Sequence, residues 1–160
     1  MKSILIAAIL VIAAICAVIP AQAADKPIQI ALVNPVQIFP ERESIAGLRL
    51  SIIYGKNVNM TGLDWGLVTQ STGSLQGIQL GLVGMVDGNS TGIQYNLASL
   101  TGGTFTGLQA GWYNSAGHVE GLQFGLINTT GSIKGLQLGL LNFIRTGGFL
   151  PFFPIINGSL

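Results

Sequence analysis

From about residue 47 to residue 144 the apolar and polar positions repeat one phrase, written most clearly as GLQFGLIN at 121–128 and GLQLGLLN at 135–142. The leading glycines are Gly47, Gly62, Gly77, Gly92, Gly107, Gly121 and Gly135, spaced 15 residues apart four times and then 14 twice. A fixed period this short means one small unit copied in tandem. Within a copy the residues alternate. Leu122, Phe124 and Leu126 share one face of a strand, and Gly121, Gln123 and Gly125 share the other. The third position of the phrase is Gln79, Gln94, Gln109, Gln123 and Gln137 in five copies, and Arg49 and Asp64 in the first two.

Turn-forming residues come once per copy, and a solenoid coil must turn at least twice, so the spacing predicts an antiparallel up-and-down meander. Parity agrees: 15-residue steps need an even loop and 14-residue steps an odd one. Asp87-Gly88 and Gly102-Gly103 suit two-residue hairpins, and Ser115-Ala116-Gly117 and Thr129-Thr130-Gly131 suit three-residue loops. These loops set Leu82 opposite Ile93, Leu80 opposite Tyr95, Ile78 opposite Leu97 and Phe124 opposite Leu136. Strands are predicted near 27–33, 46–54, 60–69, 75–86, 90–100, 105–114, 119–128 and 133–144, a number that closes. The predicted fold is thus all-β, an eight-stranded β-barrel, with a short-period β-solenoid as the alternative. Residues 34–45 read as one long loop. The tail 149–160, apolar but carrying Pro151 and Pro154, reads as an edge or a plug at one rim.

Before the repeat, Lys2, the apolar run Ile4–Ile19, and Pro20 followed by Ala21-Gln22-Ala23 have the form of a secretory signal peptide, with cleavage expected after Ala23. The run is shorter than the ~20 residues of a spanning helix. The only cysteine, Cys16, lies inside that segment, and Ile15 before it does not fit a lipoprotein signal. Residues 24–160 are then one domain without a thiol. Charged residues make up 8% of the chain, against about 25% in ordinary soluble domains. A net charge of +1 excludes an electrostatic footprint for nucleic acid. With so little charge, the large residues fit a lipid-facing band and the Gly/Gln side a narrow interior, the alternation of a small outer-membrane barrel. Outer-membrane lipid is accordingly the expected partner.

Chemistry is sparse. His118, the sole histidine, falls in a predicted turn and reads as a solvated residue. Glu41, Arg42 and Glu43 read as a charged loop tip. Arg49 and Asp64, at equivalent positions of adjacent copies, are positioned for a buried structural ion pair rather than for acid-base work. No catalytic residue, cofactor site or metal site is expected, and so no enzyme. Asn59, Asn89, Asn128 and Asn157 match the glycosylation acceptor pattern, but Asn and Thr are also what turns use. The Gln-bearing phrase also occurs in repeats whose identical residues stack in register.

GLQFGLIN, GLQLGLLN and GIQLGLVG, together with PIQIALVNPVQIFPERESIAGLRL near the start and PFFPIINGSL at the end, resemble the surface-repeat proteins of bacterial envelopes. The resemblance covers nearly all of residues 24–160 and implies export and a bacterial source, with no biochemical activity attached. The copies at 47, 62 and 92 depart from the phrase at the Gln or the second Gly. The expected function is a non-enzymatic cell-envelope protein, an outer-membrane barrel or surface structural protein. The alternative is a secreted soluble module that binds or self-assembles through its Gly/Gln face.

Overall fold

A computed structural model describes residues 25–159; the segment expected to be a signal peptide, with Cys16, lies outside the described residues. The chain is all-β: β1 (Lys26–Val33), β2 (Val36–Gln37), β3 (Ile45–Asn57), β4 (Met60–Ser71), β5 (Leu75–Val86), β6 (Ser90–Thr146, several copies of the repeat in unbroken extended backbone) and β7 (Phe152–Ser159). They form one sheet in the order β2-β1-β3-β4-β5-β6-β7. The pairs β1/β3, β3/β4, β4/β5 and β5/β6 are all parallel. The protein is a β-solenoid, and the antiparallel barrel is corrected to the alternative fold.

Each 14- or 15-residue copy is a flattened coil with two arms and two corners. In the copy at 75–89 the first arm runs Leu75–Gly81. The ladder skips Leu82, which marks a corner, and resumes over Val83–Val86 before the second corner at Asp87–Asn89. Arms of one coil meet across the interior, where Thr101 Oγ1 donates to Gln94 Oε1 at 3.1 Å and Asn96 Nδ2 donates to Ser99 Oγ at 3.0 Å. The second corner carries the Gly, Asn and Ser that look like a hairpin turn. The corner at Leu67, Leu82 and Leu97 is apolar and has no turn residue to announce it.

The register shows why the meander is plausible from sequence. Leu80 does face Tyr95, because the hairpin and parallel registers cross at that pair. Away from it they diverge: Ile78 pairs with Ile93, not Leu97, and Leu82 has no partner in Ile93. Gln123 and Gln137 are bonded and Gly139 stacks on Gly125, which sets Phe124 beside Leu138 rather than Leu136. The parity of the loops does not separate the two folds, since a corner that bulges outward absorbs one residue without flipping the arms. One such adjustment is visible in the first coil, where pairing changes from Ser51↔Gly66 to Tyr54↔Val68 around Ile52 and Ile53.

The leading glycines allow the coils to stack so closely. Gly77 and Gly92 have φ of 138° and 122°, a conformation that L side chains rarely adopt. A Cβ on either would land on the carbonyl oxygen of the glycine one coil below. Inside, apolar side chains fill the polar-corner end in two clusters. Ile45, Met60, Leu75 and Val86 form one; Phe105, Ala116, Val119, Ile133 and Ile144 form the other. Ser90, buried at the equivalent position, separates them.

Both ends are closed by strands outside the repeat. β1 lies beneath the first coil, and β2, within the segment read as a loop, folds back on it antiparallel. The tail forms β7, antiparallel on the last coil from Gly135↔Ser159 to Phe143↔Phe152. This reversal of direction ends the parallel stack.

Candidate functional site: the polar row and the apolar edge

The Gly/Gln side of every copy faces inward. Arg49, Asp64, Gln79, Gln94, Gln109, Gln123 and Gln137 are all fully buried and stand in one row along the axis. Arg49 and Asp64 are brought together as a forked pair, Nε to Oδ1 at 2.8 Å and Nη2 to Oδ2 at 2.7 Å. Arg49 also donates to the Gln70 carbonyl at 2.9 Å and to Ser71 Oγ at 3.3 Å. From Asp64 upward, each glutamine donates Nε2 to the oxygen of the coil below. Gln79 reaches Asp64 at 3.0 Å, Gln94 reaches Gln79 and Gln109 reaches Gln94 at 2.8 Å each, and Gln123 and Gln137 follow at 2.7 Å.

The carboxylate sets the direction of the row. Asp64 can only accept, so Gln79 must donate to it and offer its own oxygen upward, and the same choice passes to each amide in turn. The row ends on Gln137 Oε1, which has no donor. A second row, Asn114→Asn128→Asn142 at 2.9 and 2.8 Å, runs the opposite way. It finishes on the Phe153 carbonyl of β7 at 3.1 Å and leaves Asn114 Oδ1 as its orphan. In a low-dielectric interior such chains of bonds polarise one another, with each bond contributing about 0.5–1.5 kcal/mol net.

This row offers no chemistry to a substrate. Both Asp64 oxygens are occupied within a closed interior, and the glutamines that a partner would read are not on the surface. The Gly/Gln face, expected as the presented surface of a secreted module, is instead the core. Among the described residues no group of three His, Cys, Asp or Glu is placed to hold a metal ion. His118 sits at the polar corner with Nδ1 2.7 Å from Ser132 Oγ and Nε2 3.9 Å from Glu120. Glu41 accepts from Asn34 at 2.7 Å and lies 3.3 Å from Lys56 Nζ. The bond from Asn34, and then Lys56, hold its carboxyl below the usual 4.5. Of the glycosylation-pattern asparagines, Asn128 and Asn157 are buried. Asn59 and Asn89 accept from the backbone N–H of Ser74 and Thr104 as corner staples.

With the polar side sealed, the large apolar residues are outside. Trp65, Tyr95 and Phe124 on the first arm, and Leu82, Trp112 and Leu140 at the apolar corner, are exposed; Trp112 reaches 65%. Between these two lines the intervening position is usually glycine, as at Gly66, Gly81, Gly111, Gly125 and Gly139. Open grooves result along this edge, about 440 Å³ over the first coils and about 670 Å³ over the later ones. Sequence reasoning recognised the large face but missed the grooves. Their signal is a small residue between two large ones, repeated at the coil period.

Fold and rows together define a short parallel β-solenoid with a polar, hydrogen-bonded core and an apolar outer edge. Comparison with family models, with curated proteins and with solved structures finds no match to this chain.

Proposed function

We propose that this is an exported, non-enzymatic protein of the bacterial cell envelope, a rigid structural solenoid held at the surface by its apolar edge. The observation that carries the reading is the inversion of the usual arrangement, with glutamine and asparagine rows inside and tryptophan, tyrosine and leucine lines outside. Contiguous apolar surface on this scale marks a site of association. The signal-like segment before residue 24 and the likeness to envelope surface-repeat sequences support export. No helix among the described residues is long and apolar enough to cross a membrane. The strands that close both ends disfavour end-to-end fibre growth, the self-assembling alternative.

Fractionation of bacteria expressing the full chain tests this. The expected result is protein in the envelope fraction with its N-terminus at Ala24. Recovery from the culture medium as free monomer would favour the secreted module, and recovery from the cytosol with Met1 in place would refute export.

A further inference from the structure

We propose that the groove over the later coils is a binding site for the acyl chains of a lipid leaflet, so that the apolar edge lies in a membrane surface. The proposal rests on the envelope reading above and names the partner of its apolar edge. Tyr95 and Phe124 form one wall, Trp112, Leu126 and Leu140 the other, and Gly111, Gly125 and Gly139 the floor. The two walls are two residues apart along the chain, one on the first arm and one at the apolar corner, with a glycine between them. The groove is thus apolar on both walls and on its floor, a lining that suits a methylene chain. The groove runs across coils about 4.8 Å apart, so its long axis follows the solenoid and suits a linear ligand.

Three further observations favour lipid over a second copy of the chain. First, the exposed charges of the repeats, Lys56, Asp87, His118, Glu120, Lys134 and Arg145, all lie at or beside the polar corner, and no charged residue occurs on either wall. The face therefore carries nothing to orient a charged peptide. Second, Trp65, Trp112 and Tyr95 are 61%, 65% and 64% exposed, which leaves their indole N–H groups and hydroxyl open to solvent. A dry protein interface has to satisfy such groups, whereas the boundary of a bilayer supplies water and headgroups to them. Third, Ile155 of β7 is held at φ 69° and is 72% exposed at the end of the groove. A β-branched residue at positive φ is a genuine backbone outlier. Its side chain already lines the groove in the free protein, and in the bound state it forms the end wall.

The test uses the folded protein and phosphatidylcholine vesicles with brominated acyl chains, which quench tryptophan on contact. The expected result is quenching that added salt does not weaken, since no exposed charge lies on the edge. The pair Leu126→Lys and Leu140→Lys alters exposed positions, so circular dichroism stays unchanged while vesicle partition falls at least about tenfold. Absence of quenching in the unaltered protein overturns the proposal, as does quenching that the lysine pair leaves intact. A sedimentation dimer that the pair dissolves, without quenching, overturns it in favour of a second copy. If the protein fractionates with the envelope in cells yet is not quenched by vesicles, the envelope reading stands and the acyl-chain site falls.

Discussion

Replacing Arg49 with Gln leaves the Asp64 carboxylate buried with a single remaining side-chain donor, Gln79 at 3.0 Å. Removing one partner of a buried pair costs about 3–5 kcal/mol, a large part of the ~5–15 kcal/mol that holds a domain folded. Asp64→Gln alone leaves the Arg49 guanidinium equally stranded and carries a similar cost. Making both changes together has a different outcome, because both positions lie in the row and an amide at each continues it downward from Gln79. The bonds forfeited are those from Arg49 to the Gln70 carbonyl, worth about 1.5–3 kcal/mol because its donor is charged, and to Ser71, weaker at 3.3 Å. The desolvation of two charges is recovered at the same time, and exchanges of this kind are often neutral or stabilising by ~1–4 kcal/mol. The double variant should therefore be more stable than either single one and lie within about 2 kcal/mol of the unaltered protein. Urea unfolding followed by far-ultraviolet circular dichroism measures this, as midpoints at constant slope. A double variant less stable than both singles would refute the claim that ion pair and glutamine rung are interchangeable parts of one row.

Gly107→Ala should destabilise by about 2–5 kcal/mol, combining a φ of 128° with a Cβ driven into the Gly92 carbonyl. Gly147→Ala, at φ 76° with open space around it, should cost only about 1–2 kcal/mol, and thermal unfolding of the two variants checks the difference. Glu41 has its folded pKa lowered below 4.5, first by the bond from Asn34 and then by Lys56. Its contribution to stability is thus present above the unfolded value and lost as the pH falls through the folded one. The stability gap between the unaltered protein and Glu41→Gln should be constant near neutrality and shrink only in acid below the ordinary glutamate range. A gap that instead shrinks on raising the pH would contradict this assignment.

Much of the core is legible in the sequence and half of the coil is not. Alternation places Gln123 between Gly121 and Gly125, opposite in facing to Leu122 and Phe124, and that division survives intact in the structure as interior and exterior. The juxtaposition of Arg49 and Asp64 follows from their shared place in consecutive copies, which holds in any fold that pairs neighbouring repeats. What the sequence conceals is the apolar corner. The chain bends there through Leu67 and Leu82, each beside a glycine, and through Leu97, beside Asn96, residues that equally continue a strand, while Asp87-Gly88 at the polar corner has the chemistry of a hairpin. At Leu67 and Leu82 the preceding Gly66 and Gly81 let the backbone come close to the coil below, where a Cβ would meet the carbonyl oxygens of Ser51 and Gly66. Counting turn signals therefore undercounts turns. The cross-strand pairs did not expose the error, since Leu80 with Tyr95 and Gln123 with Gln137 belong to both registers.

Only pairs away from those crossings distinguish the two folds, and Ile93 supplies the cleanest one. Cysteines placed two at a time in the otherwise cysteine-free domain, at Ile78 and Ile93 or at Leu82 and Ile93, can be oxidised and their cross-linking compared. In the solenoid Ile78 and Ile93 are in-register neighbours on adjacent parallel coils, about 4.8 Å apart along the bonding direction, within the Cα separation that a disulfide accepts. The Ile78/Ile93 pair should link rapidly and the Leu82/Ile93 pair slowly or not at all. Preferential linking of Leu82 with Ile93 would restore the antiparallel hairpin and contradict the solenoid together with its buried glutamine row.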